Sequence, residues 1–234
     1  TVTSLLAFID FDRTLNDADS VMSELLDGLL GLSGQEAIDA FTQTHELVHT
    51  RFPERHDDAR FALGLLLERH RRPGDHATLE EVQERYREAW NTSWRAPRLF
   101  PDALPFLRGL KSQGFRLFLA TGDHAPQKAE HLRRLAGEAL LDGAFDPVTL
   151  GRDKGSVEYV ERALAQAGAS SEDPWFVGDS LRNDIEPARR LGLRALWVNR
   201  RGLRLQAQDP TPTETVHDLY AALAIMTGVR VEAK

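Results

Sequence analysis

Two aspartates, Asp10 and Asp12, stand two positions apart directly after the apolar run Leu5-Leu6-Ala7-Phe8-Ile9. Far down the chain a second pair, Asp179 and Asp184, follows Trp175-Phe176-Val177-Gly178 in the same manner. Between them come Thr121-Gly122-Asp123, which close the run Phe115-Arg116-Leu117-Phe118-Leu119-Ala120, and Lys154 in Gly151-Arg152-Asp153-Lys154-Gly155. Carboxylates with no sulfur and no evident histidine partner suit a hard divalent cation, Mg²⁺ with water completing an octahedron being the usual case. A threonine hydroxyl, the backbone N–H groups after it and a lysine offer donors and positive charge to a tetrahedral oxyanion. Together these groups describe phosphoryl transfer. Singly each is bland: an Asp often opens a turn, Thr-Gly-Asp can be a turn and nothing more, and most lysines are exposed. The ordered combination carries the reading.

These residues need a scaffold that brings four distant segments to one place. An unbroken apolar run bounded by polar residues suits a strand buried on both faces of a parallel sheet. Residues two apart on a strand point the same way, so Asp10 and Asp12 converge at the carboxyl edge where open α/β folds hold their ligands. From Pro101 onward helix and strand alternate. The pattern predicts a helix over 102–113 closed by Gly114, a strand over 115–120, a helix over 126–135, a short strand near 147–150 and a helix running to Gln166 and stopped by Gly168. A strand from Trp175, a helix over 183–191 ended by Gly192, a strand over 193–198 and a last helix over 215–226 follow. Such alternation implies right-handed βαβ units and a doubly wound parallel sheet, an α/β fold.

Residues 17–98 break this alternation with helical patterns and no convincing strand, as an inserted unit of three or four helices would. Ser33-Gly34 and Arg72-Pro73-Gly74-Asp75 read as loops, and Thr78-Leu79-Glu80-Glu81 as a capping box. Leu63, Leu66 and Leu67, and Val82, Tyr86 and Trp90, recur at the spacing of packed helix faces. His45 and His49, four apart, have a zinc-compatible spacing but no evident third ligand, and are kept as candidate substrate contacts.

The chain of 234 residues is long enough for one full core and a smaller second unit. With 41% apolar and 28% charged residues it has the composition of an average globular protein. No segment approaches the ~20 apolar residues of a membrane span, and no secretory signal pattern opens it, so a cytoplasmic location is the expectation. The absence of cysteine excludes disulfides, thiolate metal sites and a thiol nucleophile. A net charge of −7, with no Lys/Arg run interleaved with aromatics, argues against a nucleic-acid polymer as partner. A small anionic substrate held by local cations remains compatible. Oligomeric state has no signal.

Taken in order, the chemical residues resemble the motifs of the haloacid dehalogenase superfamily, phosphatase branch. Phe8-Ile9-Asp10-Phe11-Asp12-Arg13-Thr14-Leu15 is similar to the first motif, Thr121 and Lys154 to the second and third, and Val177-Gly178-Asp179-Ser180-Leu181-Arg182-Asn183-Asp184-Ile185 to the fourth. Ala195-Leu196-Trp197-Val198-Asn199-Arg200-Arg201-Gly202 resembles the group with nucleotidases and sugar-phosphate phosphatases. The resemblance covers residues 4–15 and 99–199, and it implies a Rossmann-like core of residues 1–16 and 99–234 with a small all-helical cap, 17–98, which closes over the sheet edge. It further implies that Asp10 is a nucleophile forming an aspartyl-phosphate and Asp12 the acid, then base. Thr121, the Gly122 N–H and Lys154 would bind the phosphoryl oxygens. Mg²⁺ would be held by the Asp10 carboxylate, the Asp12 backbone carbonyl and Asp179, with Asp184 in support.

The implied activity is Mg²⁺-dependent hydrolysis of small phosphorylated metabolites of the nucleotide, sugar-phosphate or phosphoglycolate class. A phosphomutase or phosphotransferase shares every motif, and a catalytically silent binding protein shares the fold. A dehalogenase would lack the second aspartate, and a receiver domain is shorter and has no helical insert. Two positions depart from the family's habit. Arg13 stands where Gly is common, and Gly122-Asp123 where Asn-Gly is usual. Asp123 is therefore expected either to weaken anion binding or to select a substrate carrying its own cation.

Overall fold

In the computed structural model, which describes residues 5–56, 58–169 and 173–228, the first apolar run is β1 (Leu5–Ile9). β1 lies at the centre of a six-stranded sheet with both edges paired in parallel. Leu5 through Ile9 pair with Phe115 through Leu119 of β2 (Phe115–Ala120). With β3 (Gly143–Phe145), β4 (Trp175–Gly178), β5 (Arg194–Val198) and β6 (Glu214–Val216) the order is β3-β2-β1-β4-β5-β6, parallel throughout. The chain adds strands on one side of β1 and then on the other, so the boundary of β1 and β4 is the switch point where α/β folds open a crevice.

The continuity of the apolar runs follows from the two covered faces. Ala7, Ile9, Leu117, Leu119, Val177 and Leu196 belong to one core. Leu6, Phe8, Phe118, Phe176, Ala195 and Trp197 belong to the other. Phe8 stacks between Phe118 and Phe176, with ring centroids 5.2 and 4.7 Å away. Each fully buried side chain of this size is worth roughly 1.5–3 kcal/mol.

The structure divides into two compact units, Thr1–Asn16 with Leu99–Lys234, and Asp17–Arg98. Residues 1–4 and 229–234, which the sequence reading includes in the core, lie outside the described residues. The second unit contains α1 (Ala18–Leu26), α2 (Gly34–Arg51), α3 (Ala59–His70) and α4 (Leu79–Arg95) with single 3-10 turns at Leu29–Gly31 and Pro53–Arg55. Met22, Leu26, Ile38, Leu63, Leu66 and Val82 form its core, with Leu67, Tyr86 and Trp90 packed against it as the stripes imply. Thr78 and Glu81 make the expected capping box. Ser33 and Glu36 make a second, so Gly34 is the first residue of a helix rather than part of a loop. The unit is tied at its ends, where Asp17 N donates to Arg98 O at 2.7 Å and Arg98 pairs with Glu24. Among the described residues no helix is long and apolar enough to cross a membrane.

The first unit continues with α5 (Ala103–Ser112), α6 (Ala125–Ala136), α7 (Pro147–Leu150), α8 (Val157–Ala167), α9 (Glu186–Arg190) and α10 (Leu219–Thr227). α5 and α10 cover one face of the sheet and α8 and α9 the other. Three expectations need correction. Residues 147–150 are a turn of helix, because Asp146 and Thr149 cap each other through two 2.8 Å bonds and Pro147 presets the first helical φ. The strand of this region is β3, which ends at Phe145, before Asp146. Residues 214–216 are the edge strand β6, and the last helix begins only at Leu219, after Asp218 accepts from the Ala221 N–H at 2.8 Å. The helix after β4 starts as one wide π turn, Leu181–Ile185, before α9.

One ion pair ties the loop after the first aspartates to the rest of this unit. Arg200, just past β5, grips Asp102 with two bonds of 2.8 and 3.0 Å, donates to Thr14 O at 3.0 Å and lies 3.8 Å over the Phe100 ring. Asp102 also accepts from the Leu219 N–H at 2.9 Å, joining the starts of α5 and α10. Removing one partner leaves the other buried and uncompensated. Arg200→Met should therefore lower the unfolding free energy by about 2–4 kcal/mol in a urea titration, and a loss under about 0.5 kcal/mol would contradict this role.

Candidate functional site

The residues after β1 leave the sheet in a tight loop built on Phe11. The N–H groups of Leu15 and Asn16 both donate to Phe11 O at 2.9 Å, while the Phe11 ring is buried in the core below. The Asp10 N–H still pairs with Val177 O at 2.8 Å, so Asp10 is fixed to the strand end. Thr14 Oγ1 donates to Asp10 Oδ2 and Asn16 Nδ2 to Asp12 Oδ1, each at 3.1 Å. Arg13, between them, has φ 62°, a left-handed conformation uncommon outside glycine. This explains why glycine would suit the position. Among the described residues only Leu30 and His124 share such a φ without being glycine, and His124 ends the loop that begins at Thr121. Such conformations gather where surrounding structure over-determines the backbone.

Lys154 enters the site between two carboxylates. Its Nζ pairs with Asp10 Oδ1 and, at 2.7 Å, with Asp184 Oδ1. Asp184 Oδ2 accepts from the Ser180 N–H at 2.9 Å. Oxygens of Asp10, Asp179 and Asp184 all come within 4.8 Å of one another, and among the described residues this is the one group of three or more potential ligands that close together. Gly178 makes the approach feasible, since a Cβ there would stand 2.2 Å from the Asp184 carboxyl carbon. The Asp179 backbone is held from behind by Trp197 Nε1, which donates to its carbonyl at 2.8 Å.

Such crowding has an electrostatic cost. Burial pushes the Asp179 carboxyl well above its ordinary value, and the neighbouring charges of Asp10 and Asp184 push it further against the pull of Arg13 and Lys154. Burial raises Asp184 too, with Lys154 pulling down and Asp10 up. For Lys154, burial disfavours the charge but Asp10 and Asp184 outweigh it, so the ammonium is held above its usual range. Oxygen ligands that repel one another, on two buried carboxylates and one half-buried, fit a hard divalent cation, which would relieve the repulsion.

Asp12 does not join this cluster. Its Oδ2 lies 2.6 Å from Nζ of Lys128, a completely buried lysine on α6 whose ammonium also reaches Thr121 Oγ1 at 3.1 Å and pairs with Asp123. Burial raises the Asp12 carboxyl above its ordinary value, Lys128 opposing and Asp10 adding to the rise. Lys128 is absent from the sequence reading, although a signal existed. It shares the buried face of an otherwise amphipathic helix with Ala125 and Leu132. Its presence changes the meaning of Asp123, whose charge is met inside the protein and does not require a cation on the substrate.

Thr121 is fixed through its backbone. Its N–H donates to Phe145 O at 3.0 Å, and Tyr159 Oη donates to Phe145 O at 2.9 Å and Thr121 O at 3.3 Å. Since Thr121 Oγ1 accepts from Lys128, its hydroxyl hydrogen is left to donate elsewhere. Gly122 faces open space, a Cβ there meeting nothing within 4 Å. The structure thus gathers Asp10, Asp12, Thr121, Lys154, Asp179 and Asp184 at the carboxyl ends of β1, β2 and β4. His45 and His49 belong to the helical unit, where their Nε2 atoms lie 3.0 Å apart.

The family described as haloacid dehalogenase-like hydrolase matches residues 6–192 of the chain. Glyceraldehyde 3-phosphate phosphatase of Methanocaldococcus jannaschii is 24% identical over 133 residues, 57% of this chain and 58% of that protein. Phosphoserine phosphatase of Thermus thermophilus is 32% identical over 143 residues, 58% of this chain and 55% of that one. The chain thus spans little more than half the length of these relatives. Among solved structures, YfnB of Bacillus subtilis bound to magnesium aligns over 97% of this chain and 99% of its own with TM-score 0.72 and 19% identity. L-2-haloacid dehalogenase of Xanthobacter autotrophicus aligns over 98% and 100% with TM-score 0.69 and 15% identity. These two establish likeness of fold.

The close approach at Gly178 is testable by adding one methyl group. Gly178→Ala must displace the Asp184 carboxylate, so Mg²⁺ or Mn²⁺ affinity measured by calorimetry should fall about 10–100-fold with the circular dichroism spectrum retained. Unchanged affinity in a folded variant would contradict the cluster as a cation site.

Proposed function

The chain belongs to the haloacid dehalogenase-like hydrolases, and on that premise we propose that it hydrolyses small phosphomonoesters with Mg²⁺ as cofactor and an aspartyl-phosphate on Asp10 as intermediate. The observation that carries the reading is the separation of the two neighbouring aspartates: Asp10 belongs to the carboxylate cluster and pairs with Lys154, while Asp12 is held by Lys128. Two like groups in unlike surroundings can take unlike roles. Asp10 serves as nucleophile and Asp12 as proton donor and acceptor.

In this scheme the Thr121 hydroxyl, the Gly122 N–H and the Lys154 ammonium hold the phosphoryl oxygens. Asp10 attacks phosphorus while Asp12 gives its proton to the departing alkoxide. Asp12 then takes a proton from the water that attacks the same phosphorus, which frees Asp10 and releases inorganic phosphate. Dividing the reaction in two lowers each barrier. The residues that would hold Mg²⁺ are Asp10, Asp179 and Asp184 with the backbone carbonyl of Asp12, and the ion would offset negative charge on the phosphoryl group and its acceptor.

The need for a proton favours a phosphate ester over an alkyl halide, because a halide departs without protonation and an alkoxide does not. The relatives named as phosphatases for glyceraldehyde 3-phosphate and phosphoserine support an ester of a small metabolite. Nucleotides, sugar phosphates and phosphoglycolate belong in the same screen, and a cytoplasmic location suits such substrates. We assign the choice among them to the helical unit, residues 17–98, in the manner of the family's cap.

Asp10→Asn keeps the shape of the side chain and loses the nucleophile. Phosphate release from an aryl phosphate with Mg²⁺ should fall by more than about 1,000-fold with an unchanged circular dichroism spectrum. Turnover within about 10-fold of wild type, or full wild-type activity in a chelator, would overturn the proposed function.

A further inference from the structure

Two lysines reach the site, and the proposed chemistry employs only Lys154. Lys128 is the more deeply buried, with no exposure at all. An ammonium has three protons to donate, and Lys128 has three acceptors in reach, namely Asp12 Oδ2, Thr121 Oγ1 and Asp123 Oδ1. All three belong to the two loops that carry the candidate chemistry. The Phe11 ring lies 5.6 Å below the ammonium. With Asn16 Nδ2 on the other oxygen, both oxygens of Asp12 are held.

Burying an ammonium costs several kcal/mol before its partners repay it. Ala125 and Leu132 fill the same helix face with apolar side chains, and a packing role alone would be met more cheaply by another of that kind. Helix α6 is itself placed firmly: the Ala125 N–H donates to Asp146 Oδ2 at 2.8 Å, directly after the left-handed His124.

We infer that Lys128 is a positioning residue for Asp12, fixing that carboxylate apart from the Asp10, Asp179 and Asp184 cluster and in register with the Thr121 loop for proton transfer to the leaving oxygen. This rests on the phosphomonoester hydrolysis proposed above. The role predicts dependence on the leaving group. A misplaced acid harms an ester whose alcohol must be protonated as it leaves, and spares one whose phenolate leaves readily by itself.

The test compares kcat/KM for an alkyl phosphate and for p-nitrophenyl phosphate in wild type, Lys128→Met and Asp12→Asn, and in the double variant of these two. General acid catalysis is worth about 10²–10⁴-fold. Lys128→Met should therefore lower kcat/KM for the alkyl ester by about 100-fold and for the aryl ester by less than about 10-fold. In the Asp12→Asn background it should cost less than about 3-fold more, because both changes remove one function. Should Lys128→Met not fold, the charge-balanced pair Lys128→Gln with Asp123→Asn carries the test with the same selective loss expected. Equal losses for both esters would overturn the role and leave Lys128 a structural or phosphate-holding residue. Full additivity with Asp12→Asn would overturn it as well. If wild type hydrolyses neither ester with Mg²⁺, the proposed function itself fails and this role falls with it.

Discussion

Crowding of negative charge at one sheet edge is the constraint on which the site depends. Asp10, Asp12, Asp123, Asp179 and Asp184 stand at the ends of three adjacent strands. Carboxylates brought together out of water repel one another and favour their protonated forms. Two lysines divide the set. Lys154 pairs with Asp10 and Asp184, and Lys128 with Asp12 and Asp123. That division gives neighbouring aspartates different surroundings, and different chemistry becomes available to each.

The sheet makes the crowding sustainable. Because β1 is covered on both faces, Phe11 can anchor the loop that carries Asp12 while Asp10 stays on the strand's own hydrogen-bond ladder. The switch point between β1 and β4 brings Asp179 beside Asp10, and the absence of a side chain at Gly178 lets Asp184 close in. Farther out, the Arg200–Asp102 pair holds the carbonyl of Thr14. Packing and backbone bonds thus bring the acids to one edge, and the lysines both supply compensating charge and hold individual carboxylates, Lys154 those of Asp10 and Asp184 and Lys128 those of Asp12 and Asp123.

Much of this was legible in the chain itself. Long apolar runs announced β1, β2 and β4, and the acids after them marked their carboxyl ends. The parts that were not legible depend on partners distant in sequence. Lys128 reads as an ordinary helical lysine until Asp12 is found above it. Gly178 reads as the last residue of an apolar run, and its need for a bare Cα shows only when Asp184 is seen against it. β6, three residues long, is too short for periodicity to register, and its strand character comes from pairing with β5. At 147–150 a strand was expected, and the Asp146–Thr149 capping bonds decide for a helical turn. Asp123 looked like a charge open to the substrate, because its internal cation, Lys128, lies five residues further along and meets it only once α6 is folded.

The proposed aspartyl-phosphate on Asp10 is the point at which the geometry and the chemistry meet. Rapid quenching of the Mg²⁺-loaded protein with a phosphomonoester labelled in its phosphoryl group, followed by peptide mapping, tests it directly. The label should appear on the peptide that contains Asp10, as an acid-stable and base-labile acyl phosphate that decays as inorganic phosphate forms. Steady hydrolysis with no label on the protein at any quench time, or label on a peptide without Asp10, would contradict the assignment of Asp10 as the nucleophile.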